Sequence, residues 1–180
     1  MQRAQQHIFL TGFMGSGKST LGKNLAGLLQ LNFIDLDNYI ETHEKKSITL
    51  IFEQQGENSF RKIESTCLLE VLDVQQPSVI ALGGGTICFG NNLAQVKNAG
   101  LLVYLELSAA DLAIRLKNNL SERPLLKNVN TEELVTNIAG KLSDREIFYR
   151  QAHLIVNGSN LSVQTLQQKI IDFKNENSPI

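Results

Sequence analysis

Gly12-Phe13-Met14-Gly15-Ser16-Gly17-Lys18-Ser19 is the stretch on which the reading of this chain turns. It has the form G-x-x-x-x-G-K-[ST], the pattern of a loop that wraps phosphate groups. Glycines let the backbone curl so that successive N–H groups point at phosphate oxygens, and a helix start behind them adds positive potential. The flanks suit that mechanism. His7–Thr11 is a short apolar run that ends at the first glycine, and a helical apolar period covers about 18–30. Strand, loop and helix together predict an ATP cradle. In it Lys18 brings charge to the β and γ phosphates, Ser19 offers a direct ligand to magnesium, and Gly15, Ser16, Gly17 and Thr20 extend the donor set. Such a loop serves kinases, ATPases and nucleotide sensors alike, so the acceptor has to be read elsewhere.

Working outward, further buried strands are expected at 32–36, 78–82, 101–106 and 153–156, with helical segments between them. Ser108 with Asp111 resembles a capping box before Leu112, Ile114 and Leu116, and Asn91 and Gly100 bracket another helix. Strands alternating with helices predict an α/β fold whose parallel sheet is covered on both faces, with ligands beyond the carboxyl ends of the strands. The segment 118–131 is polar, lacks a clear period and contains Pro124, which fits either a mobile lid or a surface connection.

The 180 residues fit one domain, and 42% hydrophobic with 19% charged residues suggests neither a disordered nor a fibrous chain. A net charge of -1 gives no global field towards nucleic acid or an anionic membrane, so neither is expected as a partner. Cys67 and Cys88 form no CxxC and read as free core thiols of a reducing compartment. The apolar run before Gly12 is too short for a membrane span, and a cytosolic protein is expected.

Charged residues in apolar surroundings supply the remaining candidates. Asp35 and Asp37 flank Leu36 at the end of the second strand, where an extended segment puts both on one face. One could hold the magnesium shell through water while the other orients a substrate hydroxyl; alternatively Asp37 caps a helix over 38–44. In the helical period over 60–72, Glu64 falls inside the apolar sector and Arg61 at its edge. That placement implies an internal ion pair or a pocket wall that receives an anion. Gly83-Gly84-Gly85 follows the third strand, and an unbroken glycine run there implies a flexible turn or close approach to a ligand, with Thr86 adding a hydroxyl. Arg123 precedes Pro124, and Arg145 lies on a helical stretch over 131–151. Either is a surface arginine or a cation over the transferring phosphate oxygens. His7, His43 and His153 lack metal-ligand spacing and read as structural or solvated.

Taken together, the phosphate loop, Asp35-Leu36-Asp37, Phe60-Arg61-Lys62-Ile63-Glu64, Gly83-Gly84-Gly85, Arg123-Pro124-Leu125-Leu126 and Arg145 with Tyr149 closely resemble the shikimate kinase family. The resemblance implies a three-layer α/β/α P-loop kinase fold with a five-stranded parallel sheet. It implies one domain over 1–180, with a substrate-binding subdomain at about 37–64 and a lid at about 118–130. It further implies transfer of the ATP γ-phosphate to the 3-hydroxyl of shikimate, with Mg2+ as cofactor and a monomer as the working unit. By position, Lys18, Asp37 and Arg123 resemble the catalytic set. Asp37, Arg61, Gly84 and Arg145 resemble the substrate-binding set, Ser19 the direct metal ligand and Asp35 the carboxylate that acts through water. Phe52 and Phe60 look like pocket walls, Glu64 like the acid that fixes Arg61, and Arg123 like a lid arginine on the ATP phosphates. The chain departs from the pattern where Arg115 is followed by Leu116 and in the loop Asn157-Gly158-Ser159-Asn160, which lacks the proline or arginine some members place beside adenine. A gluconate kinase, a nucleoside monophosphate kinase and a catalytically silent nucleotide-binding regulator are the rival readings.

Overall fold

The structure is a computed structural model that describes residues 7–118 and 131–177. The expected lid and Arg123 therefore lie outside the described residues. Five strands, β1 (His7–Thr11), β2 (Asn32–Asp35), β3 (Ser78–Ala81), β4 (Gly100–Glu106) and β5 (Leu154–Asn157), form one sheet in the order β2-β3-β1-β4-β5. Every pairing is parallel. A parallel sheet needs cover on both faces, and the sequence provides it: β1 and β3 are buried at every position.

Helices α1 (Lys18–Leu29) and α7 (Val163–Glu176) cover one face, where Leu25, Ala26, Leu166 and Ile170 pack on Ile8, Leu10, Val79 and Val103. The other face carries α2 (Leu36–Glu44), α3 (Ile48–Leu72), α4 (Asn92–Ala99) and the end of α6 (Thr131–Tyr149). There Leu36, Phe60, Leu68, Val96 and Tyr149 pack on Phe9, Ile80, Leu102 and Tyr104. A smaller cluster of Phe13, Leu112, Leu116, Leu134 and Ile138 joins the phosphate loop to α5 (Ala109–Asn118) and α6. The result is the three-layer α/β/α arrangement that the alternating pattern predicts.

The chain leaves β1 towards β2 and leaves β3 towards β4, so these two neighbours send their connections in opposite directions. A crevice opens beyond the carboxyl ends of such a strand pair. The phosphate loop follows β1 and the triple glycine follows β3, which puts both at that crevice.

Two local readings need correction. Strand β2 ends at Asp35, and Leu36 already belongs to α2. The helix cap is Asp35, whose Oδ1 accepts from the Asp37 and Asn38 N–H groups at 3.1 and 3.3 Å, so Asp37 sits in the first helical turn. Strand alternation is thus not what brings the two carboxylates together. Helix α3 is also broken at Gly56, whose φ of 76° and ψ of 172° are non-helical, a kink that the apolar period of 60–72 did not reach.

Candidate active site

Gly15 and Gly17 adopt φ values of 82° and 92°, a left-handed conformation that costs a side-chain-bearing residue roughly 1–2 kcal/mol. These turns wrap the loop tightly before α1. Lys18 is buried, and its Nζ donates to the Gly12 and Phe13 carbonyls at 2.8 and 3.0 Å. Burial lowers its pKa to about 8, with Asp37 and Asp35 opposing. The ammonium thus lies inside the cradle with two carboxylates facing it. Ser19 donates its hydroxyl to Asp35 Oδ2 at 2.5 Å. One carboxylate therefore caps α2 with one oxygen and reaches the phosphate loop with the other.

On the β3 side, a cavity of about 510 Å³ is lined by Asp37, Arg61, Glu64, Arg145 and all three glycines. Phe52 and Phe60 form a wall, with ring centroids 4.5 Å apart. Arg61 forms the internal ion pair and also lines the cavity: its Nη1 donates to Glu64 Oε2 at 2.7 Å and its Nη2 to Glu57 Oε1 at 3.2 Å. Glu64 is 1% exposed, so its charge is tolerable only because Arg61 and Thr86 Oγ1, at 2.7 Å, donate to it. The Thr86 hydroxyl is thereby spent on Glu64, not offered to a ligand as expected.

None of the three glycines has a positive φ, so what this run supplies is space. A Cβ on Gly83 would lie 2.9 Å from Asp37, Glu64 and Thr86 oxygens, and one on Gly85 would lie 2.7 Å from the Arg61 guanidinium. A Cβ on Gly84 would stand 3.3 Å from the Met14 amide and 3.5 Å from Arg145. The glycine run thus lets this cavity and the phosphate loop meet. Crowding by surrounding protein, and then the Asp35 and Glu64 carboxylates, push the Asp37 pKa up to about 6, while Lys18 opposes. Asp37 is nonetheless exposed to solvent, and water there weakens both the burial and the like-charge contributions to that shift.

Arg145 donates to the Gly84 carbonyl at 3.3 Å, and its guanidinium lies 5.4 Å from the Phe13 ring centroid. Asp37, Arg61, Gly84 and Arg145 are therefore gathered around one space, next to the loop that carries Lys18 and Ser19. Sequence reading missed the part of Arg115. Its two terminal nitrogens donate to Ser16 O at 3.1 Å and Gly158 O at 2.9 Å, tying the phosphate loop to the loop after β5. A second cavity of about 340 Å³ lies there, lined by Gly15, Gly17, Thr20, Arg115 and Gly158. The only available signal was a lone arginine beside the apolar stripe of α5.

The chain is similar in sequence and in fold to known proteins. The family model described as shikimate kinase matches residues 14–174. The chain belongs to the shikimate kinase family. A shikimate kinase of Flavobacterium johnsoniae is 41% identical over 169 residues, covering 93% of this chain and 98% of that protein. The crystal structure of shikimate kinase from Bacteroides thetaiotaomicron superposes with a TM-score of 0.85 at 36% identity, covering 96% of this chain and 98% of that one. Shikimate kinase from Acinetobacter baumannii in complex with shikimate superposes with a TM-score of 0.83 at 33% identity, covering 98% and 97%. As a member of the shikimate kinase family the chain is an ATP-dependent kinase. No described helix is long and apolar enough to cross a membrane.

Proposed function

We propose that this kinase transfers the γ-phosphate of ATP to the 3-hydroxyl of shikimate, giving shikimate 3-phosphate and ADP, with the residues above as its machinery. The observation that carries the reading is the 510 Å³ cavity, where two arginines and an aspartate share one space beside Lys18. An acceptor with a carboxylate and several hydroxyls needs opposite charges in one pocket, and this cavity holds them. The Acinetobacter relative is described in complex with shikimate.

In this reading Arg61 and Arg145 take the acceptor carboxylate, Arg61 through a fork already oriented by Glu64. Asp37 accepts a hydrogen bond from the reacting hydroxyl, and the Gly84 backbone closes on the ring. Lys18 leaves the Gly12 and Phe13 carbonyls for the β and γ phosphates, which the amides of Gly15 to Ser19 also cradle. The hydroxyl oxygen forms a bond to the γ phosphorus as the bond to the β-phosphate oxygen breaks, and the hydroxyl proton passes to Asp37. A pKa of about 6 suits that acceptance near neutral pH.

Ser19 and Asp35, 2.5 Å apart, are hard oxygen donors at the cradle mouth and fit Mg2+, with Ser19 direct and Asp35 through water. The ion would supply charge neutralisation on the β and γ oxygens. Arg123 keeps its proposed place as the arginine over the phosphates, and the cavity at Arg115 is proposed for adenine. Shikimate, gluconate and nucleoside monophosphates offered in turn, with ADP release followed by a coupled assay, should give turnover with shikimate and background with the rest. The reverse preference rejects the assignment.

A further inference from the structure

We infer that Tyr149 is a positioning residue of the acceptor site, whose buried hydroxyl holds the Gly84 carbonyl and the Arg145 guanidinium together and so aims that guanidinium at the acceptor's carboxylate. The inference rests on the acceptor reading above. Arg145 and Tyr149 stand one turn apart on α6, where side chains four residues apart share a face. Both donate to the same oxygen: Tyr149 makes the closer bond, and Arg145 Nη1 stays at 3.3 Å. A carbonyl oxygen has two lone pairs and accepts from both donors at once, and the Tyr149 hydroxyl is itself hydrogen-bonded to Arg145. Without the phenol the guanidinium would lose one of the two partners that fix its direction, and the Gly84 carbonyl its closer donor.

The charge arrangement shows why this matters. Arg61 is tied to Glu57 and Glu64, and Arg150 to Glu106 and Glu146, whereas no carboxylate pairs with Arg145 among the described residues. Arg145 is thus a cavity cation with no carboxylate partner there, and its direction is set by the Gly84 carbonyl and the Tyr149 hydroxyl. Gly84 in turn lies against the phosphate loop, since a Cβ there would stand 3.5 Å from Gly12 O. The same hydrogen bond therefore also fixes the acceptor loop relative to the cradle.

Tyr149 is built to hold still. It is fully buried and stacks on Tyr104 with ring centroids 4.9 Å apart and planes 26° from parallel. Burial also pushes its phenol well above the usual range, so the hydroxyl remains a donor at any pH where the protein works.

The test compares the wild-type chain with Tyr149→Phe and Tyr104→Phe, varying ATP and shikimate separately in the coupled assay and recording thermal melting of each protein. Tyr149→Phe keeps the ring and removes only the bond, so it should raise the KM for shikimate roughly tenfold and leave the KM for ATP within about twofold. Tyr104→Phe, which removes a neighbouring buried hydroxyl without a bond to Gly84, should move neither. An unchanged shikimate KM in Tyr149→Phe, or an equal rise in both KM values, overturns the role. So does a Tyr149→Phe protein that fails to fold while Tyr104→Phe folds, because the hydroxyl is then a prop of the core. Absence of shikimate turnover in the wild-type chain overturns the acceptor reading itself, and this role with it.

Discussion

Asp37 is held between opposing demands. Its neighbours Asp35 and Glu64 and the protein around it favour the neutral acid, while Lys18 and the proposed chemistry need the carboxylate. Raised from 3.8 to about 6, its folded pKa exceeds the unfolded one, so the folded state binds the extra proton. The stability this confers is fully present below about pH 4 and is lost as pH rises through 6, which makes the carboxylate a net cost at neutral pH. Asp37→Asn should therefore abolish turnover yet melt at the wild-type temperature or above it at pH 7.5, with any gain vanishing near pH 4. Melting curves at both pH values check this, and a lower melting temperature at pH 7.5 contradicts it. In the wild-type protein kcat/KM should fall below about pH 6 as Asp37 takes up a proton, and again above about pH 8 as Lys18 loses one. These residues were legible as candidates because charges in apolar surroundings stand out. The reason Asp37 lies where it does was not, because whether Leu36 continues the strand or starts a helix is settled by the Asp35 cap, a hydrogen bond and not a periodicity.

Whole elements divide between those that shape the site and those that only support the sheet. Helix α7 belongs to the second kind: Leu166 and Ile170 dock on the far face, and Ser162 caps it by accepting from the Thr165 N–H at 3.1 Å. Ser162→Ala should cost about 1 kcal/mol, or ~2–4 °C of melting temperature in a chain of this size, with kcat and both KM values unchanged. A change in the shikimate KM would mean that α7 reaches the site. Helix α3 is of the first kind. Its segment before Gly56 carries Phe52, and its segment after carries Phe60, Arg61 and Glu64, so the kink decides the angle between cavity wall and cavity charge. The order and type of the strands were readable from apolar runs bounded by glycine and polar residues. The kink was not, since a glycine inside a helical stretch is compatible with a straight helix.

Over the whole molecule, the two proposed ligand sites share one crevice but draw on different residues, and binding should separate them. A ligand at a hundredfold excess over its Kd stabilises the fold by about 2.7 kcal/mol, or roughly 5–10 °C here. Magnesium-ATP and shikimate should each raise the melting temperature of the wild-type chain. Lys18→Ala should lose the ATP shift and keep that of shikimate. Arg61→Lys, which preserves a partner for buried Glu64 but loses the fork, should do the reverse. Loss of both shifts in either variant would deny the division. By itself the sequence determined the phosphate cradle, the alternating α/β order and the two-sided burial of the sheet, because amide wrapping and apolar period are properties of contiguous residues. Only the tertiary structure decided that Arg145 meets Gly84 across 61 positions and that Arg115 reaches Ser16 across 99. Such meetings arise because parallel strands deliver all their carboxyl ends to one edge, and no local pattern records which distant loops that edge will bring within a hydrogen bond of one another.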